Sequence, residues 1–145
     1  MRNTAKFFLV CFVLIFVLSL LPAQREVRGA PPSFTVNSAQ DNDDANPGNG
    51  FCEDEFQKCT LRAAIEESNS LGIKHLIYFS LPSPTTIFLD SELPDLNYAD
   101  IFGPNDRGIT IDGQDEVGIG ITFGAVASTT VSNLRIQRFT FAAIY

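Results

Sequence analysis

The sequence is poor in histidine, cysteine and basic residues, and each shortage argues against a class of function. Its 145 residues include one histidine, His75, so no convincing Ser-His-Asp triad can be assembled. The chain carries 10 Lys and Arg against 17 Asp and Glu, a formal net charge of −7, and it has no basic patch with interleaved aromatic residues. Nucleic acid and anionic membranes are therefore not expected as partners.

The first thirty residues have the pattern of a secretory signal peptide. Arg2 and Lys6 form a basic start, residues 7–21 are almost entirely apolar, and small residues follow. The apolar run is shorter than the roughly 20 residues that a membrane-spanning helix needs. We therefore expect residues 1–30 to be removed, the mature chain to be secreted or held at the cell surface, and no stable membrane span to remain. The candidate cleavage sites follow Ala23, Gly29 and Ala30.

Cys52 and Cys59 are the two cysteines that remain after export, because Cys11 lies in the apolar run of the signal. An even pair in an oxidising compartment predicts a disulfide. Free thiols and half of a metal site are the alternatives, but two cysteines and one histidine cannot supply the four ligands of a usual zinc site.

The mature chain begins with a short strand, a polar loop and a helix. Residues 33–37 alternate polar and apolar side chains and predict a strand, whereas residues 39–50 are rich in Asp, Asn, Gly and Pro and predict a loop. Thr60 is a good helix N-cap. An apolar stripe after it predicts a helix of two to three turns that ends near Gly72. The stripe is Leu61, Ala64, Ile65 and Ser68, and the residues expected to face outward are Arg62, Glu66 and Glu67.

From His75 onward the pattern changes to short strands separated by turn residues. No long helical pattern lies between these strands, which excludes βαβ units. The candidate strands are residues 75–81, 85–89, 100–102, 108–112, 118–123, 129–136 and 141–145.

These strands offer a weak repeat. The apolar runs that start at Ile109 and Val131 are separated by slightly more than twenty positions, and so are Ile121 and Ile144. A period just above twenty is typical of one coil of a parallel β-helix. On local pattern alone, an antiparallel sandwich of short strands fits almost as well.

The segment from Cys59 to Ile65 (Cys-Thr-Leu-Arg-Ala-Ala-Ile) resembles the CSLREA-type motif, which marks the N-terminal end of large bacterial surface proteins. Thr60 replaces Ser and Ala63 replaces Glu. The approach to the first cysteine (residues 44–52) and the Thr-Ile-Asp-Gly at residues 110–113 also resemble that group. The resemblance is tight over residues 34–69 and loose beyond them. It implies an exported bacterial protein in which this segment leads into a right-handed parallel β-helix, with adhesion or envelope-surface roles and no defined activity.

We therefore expect a mostly β protein in three parts: a signal peptide (1–30), an N-terminal cap with the Cys52/Cys59 loop and a short helix (31–74), and the first coils of the β-helix (75–145). Because the sequence stops at Tyr145 directly after an apolar run, we expect further coils beyond it. The expected role is non-enzymatic, structural or adhesin-like, with surface glycans or host and cell-envelope components as partners. The alternatives are a polysaccharide lyase or glycosidase whose catalytic residues lie beyond this chain, and a gene remnant without function.

The polar loop is the one candidate for metal binding. Asp41, Asp43 and Asp44 carry oxygen ligands of the kind that Ca²⁺ prefers. The spacing is not that of an EF-hand, because Pro47 follows Asn46 and no glutamate occupies the twelfth position. A solvated acidic loop is the first interpretation and a calcium site the alternative; no other cofactor is expected.

The predicted coils offer no catalytic residue. Asp112, Asp115 and Glu116 form their one tight carboxylate cluster, but it lies in a glycine-rich turn where Asp is common for conformational reasons. Arg135 and Arg138 have no acidic partner nearby in the sequence, so no acid–base set is predicted.

Overall fold

A computed structural model describes residues 30–126 and 128–145; the predicted signal sequence through residue 29, including Cys11, lies outside these ranges. The described residues are mostly sheet with a single helix. The helix, α1, is Leu61–Leu71. The strands are β1 Ser33–Val36, β2 His75–Phe79, β3 Thr85–Phe88, β4 Ala99–Phe102, β5 Ile109–Asp112, β6 Ile119–Ile121, β7 Val131–Ser132, β8 Arg135–Gln137 and β9 Ala142–Ile144.

The strands form three sheets, and every pairing between them is parallel. The first sheet has the order β1-β2-β4-β7, the second β3-β5-β8, and the third joins β6 to β9. β1 and β2 are neighbours in the first sheet, although α1 lies between them in the chain. From β2 onward, the chain passes from sheet to sheet and returns to each one beside its previous strand. This excludes the antiparallel sandwich for these strands.

The register of most pairs is nearly periodic. The register partners of β2 with β4, β3 with β5, β5 with β8 and β6 with β9 are separated by nearly the same length of chain. The predicted relation between Ile121 and Ile144 is confirmed, because the two are register partners. The predicted relation between Ile109 and Val131 is wrong, because Val131 pairs with Ile101 on β4 instead.

The core is built from aliphatic side chains of all three sheets, which the register places beside one another. Ile77 on β2 pairs with Ile101 on β4, and Ile87 on β3 pairs with Ile111 on β5; all four are fully buried. Burying such a side chain contributes about 1.5–3 kcal/mol relative to leaving it exposed. The register is therefore fixed by the alternation of the strands, since a shift by one residue would turn these side chains outward.

The prediction of one continuous strand over residues 129–136 is wrong. β7 ends at Ser132 and β8 begins at Arg135, and the two belong to different sheets. Between them Asn133 has φ 58°. Asn is one of the few residues that adopt this left-handed conformation readily, so the chain turns a corner there.

The part of the chain described by the structure contains no helix that is long and apolar enough to cross a membrane.

Candidate functional site

The Cys52–Cys59 loop is closed by a disulfide. The two sulfur atoms lie 2.03 Å apart and the Cα atoms 5.0 Å apart, which agrees with the predicted bridge. Inside the loop, the Asp54 carboxylate accepts hydrogen bonds from the backbone N–H groups of Phe56 (2.9 Å) and Lys58 (2.8 Å). The loop is therefore ordered from within as well as cross-linked.

Asp54 also links this loop to the polar loop. The side-chain amide of Asn42 donates to its Oδ2 at 2.7 Å. Burial alone would raise the pKa of Asp54, but the hydrogen bonds from Asn42, Lys58 and Phe56 outweigh it and lower the pKa. The carboxylate consequently stays charged and keeps accepting all three hydrogen bonds at neutral pH.

Thr60 caps the start of α1. Its Oγ1 accepts a hydrogen bond from the Ala63 N–H at 3.0 Å and donates one to the Asn42 carbonyl at 2.6 Å. Gly72, with φ 64°, ends the helix. The cap residue therefore satisfies a free helix N–H and also holds the polar loop against the helix.

Arg62 was expected to face outward, and this is wrong. Its residue exposure is 6%, and its guanidinium pairs with Asp41 through Nη2–Oδ2 (2.7 Å) and Nε–Oδ1 (3.0 Å). The same group donates to the carbonyls of Ser91 and Glu92, and Asp41 also accepts from the Asp90 N–H. A planar guanidinium with several donors can serve all these acceptors at once, which explains why a charged residue is buried here.

Glu67 is a second correction, because it is fully buried rather than outward-facing. Its carboxylate accepts hydrogen bonds from the backbone N–H groups of Gly48 and Gly50. Both glycines have positive φ, 96° and 91°, a conformation that side-chain-bearing residues rarely adopt. The polar loop thus folds its backbone around a helix carboxylate.

Glu66 is partly buried and holds a third point of the polar loop. Its Oε2 accepts the Asp44 N–H at 2.7 Å. Burial raises the pKa of Glu66, and the neighbouring carboxylates of Asp43 and Asp44 act in the same direction.

The carboxylates proposed for calcium are placed in three different environments. Asp41 is paired with Arg62, Asp44 is buried and accepts backbone N–H groups of Asn46 (2.8 Å) and Glu53 (3.3 Å), and the Asp43 side chain is 79% exposed. Over residues 30–126 and 128–145, no group of three or more His, Cys, Asp or Glu side chains could hold a metal ion. These residues do line a cavity of about 380 Å³; the lining is Asp41, Asn42, Asp43, Asp44, Ala45 and Glu55.

A second polar cluster joins β5 to the turn after β8. The buried Asp112 carboxylate accepts from Arg138 Nε (2.7 Å), Gln137 Nε2 (2.9 Å) and the Gln114 N–H (2.8 Å). Arg138 also lies 3.8 Å from Asp115. Arg138 has no acidic neighbour in the sequence, and the fold supplies one from a distant segment, because the β5–β8 register places Gln137 directly beside Asp112.

Asp112 is held as a carboxylate. Burial would raise its pKa, but the hydrogen bonds from Gln137, Gln114 and Arg138 lower it. A general base needs a pKa near the working pH and a free face for its substrate. Asp112 has a lowered pKa and is buried among its partners, so it does not match that requirement.

His75 is a packed histidine. It is buried, its Nδ1 lies 2.8 Å from the Ile73 carbonyl oxygen, and its ring stacks on Phe34 with centroids 4.5 Å apart.

Comparisons of the chain with protein-family models, with curated proteins and with solved structures find no match. Its function is therefore inferred from the contacts described above.

Proposed function

We propose that this chain is the capped N-terminal end of a right-handed parallel β-helix, in an exported bacterial protein with a structural or adhesin-like role at the cell surface. Residues 31–74 are the cap and residues 75–145 the first coils. The partners we propose are surface glycans or components of a host or cell envelope. The protein is not an enzyme in this proposal.

The observation that carries the proposal is the order of strand pairing. β4, β5 and β6 pair in that sequence with β7, β8 and β9, each in parallel. Three strands that recur in the same order, each beside its counterpart, are what one coil stacked on the next requires. Because parallel crossover connections are right-handed in nearly all proteins, we propose the right-handed form.

The contacts around α1 support a capping role. A stack of coils has an open apolar end, which must be covered to prevent pairing with other chains. α1 packs against β1, and its apolar residues Leu61, Ala64 and Ile65 are fully buried. The polar loop is bound to the other sides of α1 through Arg62 and Glu67.

The charged groups of the described residues support a non-enzymatic role. Asp41 and Asp112, whose side chains are almost fully buried, are each paired with an arginine and also accept other hydrogen bonds. A glycosidase needs two carboxyl groups on either side of the bond that is broken. Carboxylates that are already bound to arginine and backbone partners are unsuited to act as the acid or base of a glycosidase.

The experiment is expression of the full chain with a C-terminal epitope tag in a bacterial host. We expect a processed species whose N-terminus lies between residues 24 and 31, and degradation of the tag when intact cells are treated with protease. Immobilised mature protein should then retain glycans or envelope fragments without altering them. Unprocessed protein in the cytoplasm would contradict export, and release of new reducing ends or unsaturated sugars from a polysaccharide would favour the enzyme instead.

A further inference from the structure

The outer edge of β1 presents backbone groups that no described strand pairs with. On its inner edge, the carbonyls of Pro32 and Val36 accept from Leu76 and Ser80 on the β2 side, at 2.9 Å and 2.8 Å. Because hydrogen-bonding direction alternates along a strand, the N–H and C=O groups of Ser33 and Thr35 point to the opposite edge.

This free edge is a short window with a defined limit at each end. Before it, Pro31 and Pro32 have no N–H to offer a neighbouring strand. After it, the Asn37 N–H, which points to the same edge, already donates to the Cys59 carbonyl at 2.9 Å. Natural proteins commonly block sheet edges with proline and covering loops. Here both devices are present, and they leave only the stretch around Ser33 and Thr35 open.

A cavity of about 330 Å³ lies beside this window. The Phe51 side chain at its wall is 65% exposed, although it neighbours the buried disulfide. Of the described residues that line the cavity, Glu53 is the charged one. The full lining is Ser33, Phe34, Thr35, Asn37, Gly50, Phe51, Cys52, Glu53 and Cys59.

We propose that the β1 edge and this cavity form a docking site for an extended peptide strand of a partner protein, one that carries an apolar residue beside a lysine or arginine. Donors and acceptors at alternate residues of a strand edge are matched by another extended backbone. The Phe51 wall and the disulfide take an apolar side chain, and Glu53 favours a basic neighbour. The proposal does not depend on the structural role proposed above.

The test uses the secreted mature chain, labelled with ¹⁵N, and the synthetic peptide acetyl-Lys-Val-Thr-Val-Lys-amide. We expect the amide signals of Ser33 and Thr35 to shift on titration and their hydrogen exchange to slow. Thr35→Pro removes the edge N–H, and a proline is tolerated where an edge N–H faces solvent. We expect it to weaken binding about tenfold, the effect of one lost hydrogen bond that leaves its partner unsatisfied.

Two controls separate loss of pairing from loss of folding. Thr35→Val keeps the backbone N–H and should therefore lose much less binding than Thr35→Pro. On the parent protein, the same peptide N-methylated at every residue, which leaves no backbone N–H on either of its edges, should not bind, and a version with glutamate for lysine should bind more weakly. Equal binding of the N-methylated peptide, or no shift at Ser33 and Thr35, overturns the proposal. Concentration-dependent shifts at these amides without peptide would assign the edge to a second copy of the chain, and shifts with a glycan but not with the peptide would also overturn it.

Discussion

Arg62 and Asp41, distant in the sequence, form a buried ion pair: Nη2 and Oδ2 lie 2.7 Å apart, and the two side chains are 7% and 1% exposed. Through the same guanidinium, the polar loop and α1 are joined to the carbonyls of Ser91 and Glu92. Because removing two charges from water is expensive, the net stabilisation of such a pair is small, but losing one partner leaves the other charge buried and uncompensated.

Asp41→Asn should therefore destabilise the protein by about 3 kcal/mol. The matched control is Asp43→Asn. Asp43 lies 3.7 Å from the same guanidinium, but its side chain is 79% exposed, so we expect a change within about 0.5 kcal/mol. Urea unfolding of the two variants beside the parent measures the difference. Equal urea midpoints for the two variants would show that the buried Arg62–Asp41 pair contributes no more to stability than the exposed Asp43 carboxylate.

Reduction of the disulfide should lower stability. The chain-entropy argument for a loop of this length gives about 2.5 kcal/mol, less any strain in the folded state. Double replacement of Cys52 and Cys59 by serine should reproduce the effect. This variant should be insensitive to reductant, whereas the parent should lose stability when dithiothreitol is added. Identical unfolding of parent and variant under oxidising conditions would argue against a stabilising bridge.

Asp112→Asn should lower the free energy of unfolding at neutral pH, and should lower it much less in acid. The pKa of Asp112 is lowered below its usual 3.8 in the folded state, so its ionised form stabilises the fold above that pH, and the contribution is lost as the pH falls below it. Asp115→Asn is the control, since Asp115 is exposed and 3.8 Å from Arg138. Unfolding curves between pH 7 and strongly acidic conditions should converge for Asp112→Asn and parent. A gap independent of pH would contradict the linkage.

Glu66→Gln, unlike Asp112→Asn, should stabilise the protein at neutral pH. The pKa of Glu66 is raised above its usual 4.5, because burial disfavours the charge, so its ionisation weakens the fold at neutral pH. Glutamine is uncharged and can still accept the Asp44 N–H. The variant should exceed the parent in stability at pH 7, and the advantage should disappear as the pH falls through the raised pKa towards 4.5. Glu53→Gln, at an exposed position, should leave stability nearly unchanged.

Asn133→Val should destabilise the corner between β7 and β8. A β-branched side chain at φ 58° is strained by about 1–3 kcal/mol, whereas glycine adopts this conformation freely. Asn133→Gly should therefore be nearly neutral. Thermal unfolding of the two variants provides the comparison, and a valine variant as stable as the glycine variant would indicate a different backbone at this turn.

The local pattern was sufficient for the elements whose residues act through near neighbours. The period-two alternation predicted β1, and apolar runs separated by turn residues predicted most later strands. Thr60 and Gly72 bound the helix as their capping chemistry predicts. The pair of cysteines outside the predicted signal peptide predicted the bridge. The prediction of one strand over residues 129–136 was wrong because Asn133 can either continue a strand or adopt a left-handed conformation, and the local sequence does not decide between the two.

The contacts of the charged residues could not be predicted from the local sequence pattern. Arg62 and Glu67 look like the solvent side of an amphipathic helix, yet both are buried because the polar loop, which precedes the helix in the chain, supplies their partners. Arg138 and Asp112 are similarly distant in the sequence and meet only because of the β5–β8 register. The sequence did contain one indication of this contact. If the strands stack in parallel, charged residues become neighbours when their separation along the sequence is close to that of paired strands.

The sequence by itself determined the short strands, the capped helix and the cross-linked loop, because each depends on interactions within a few residues. Only the tertiary structure decided that the strands pair in parallel, which charges are buried, and which edge of β1 is left open. These depend on which distant segments come together, and the free energy that selects them comes from burial and hydrogen bonding across the whole chain.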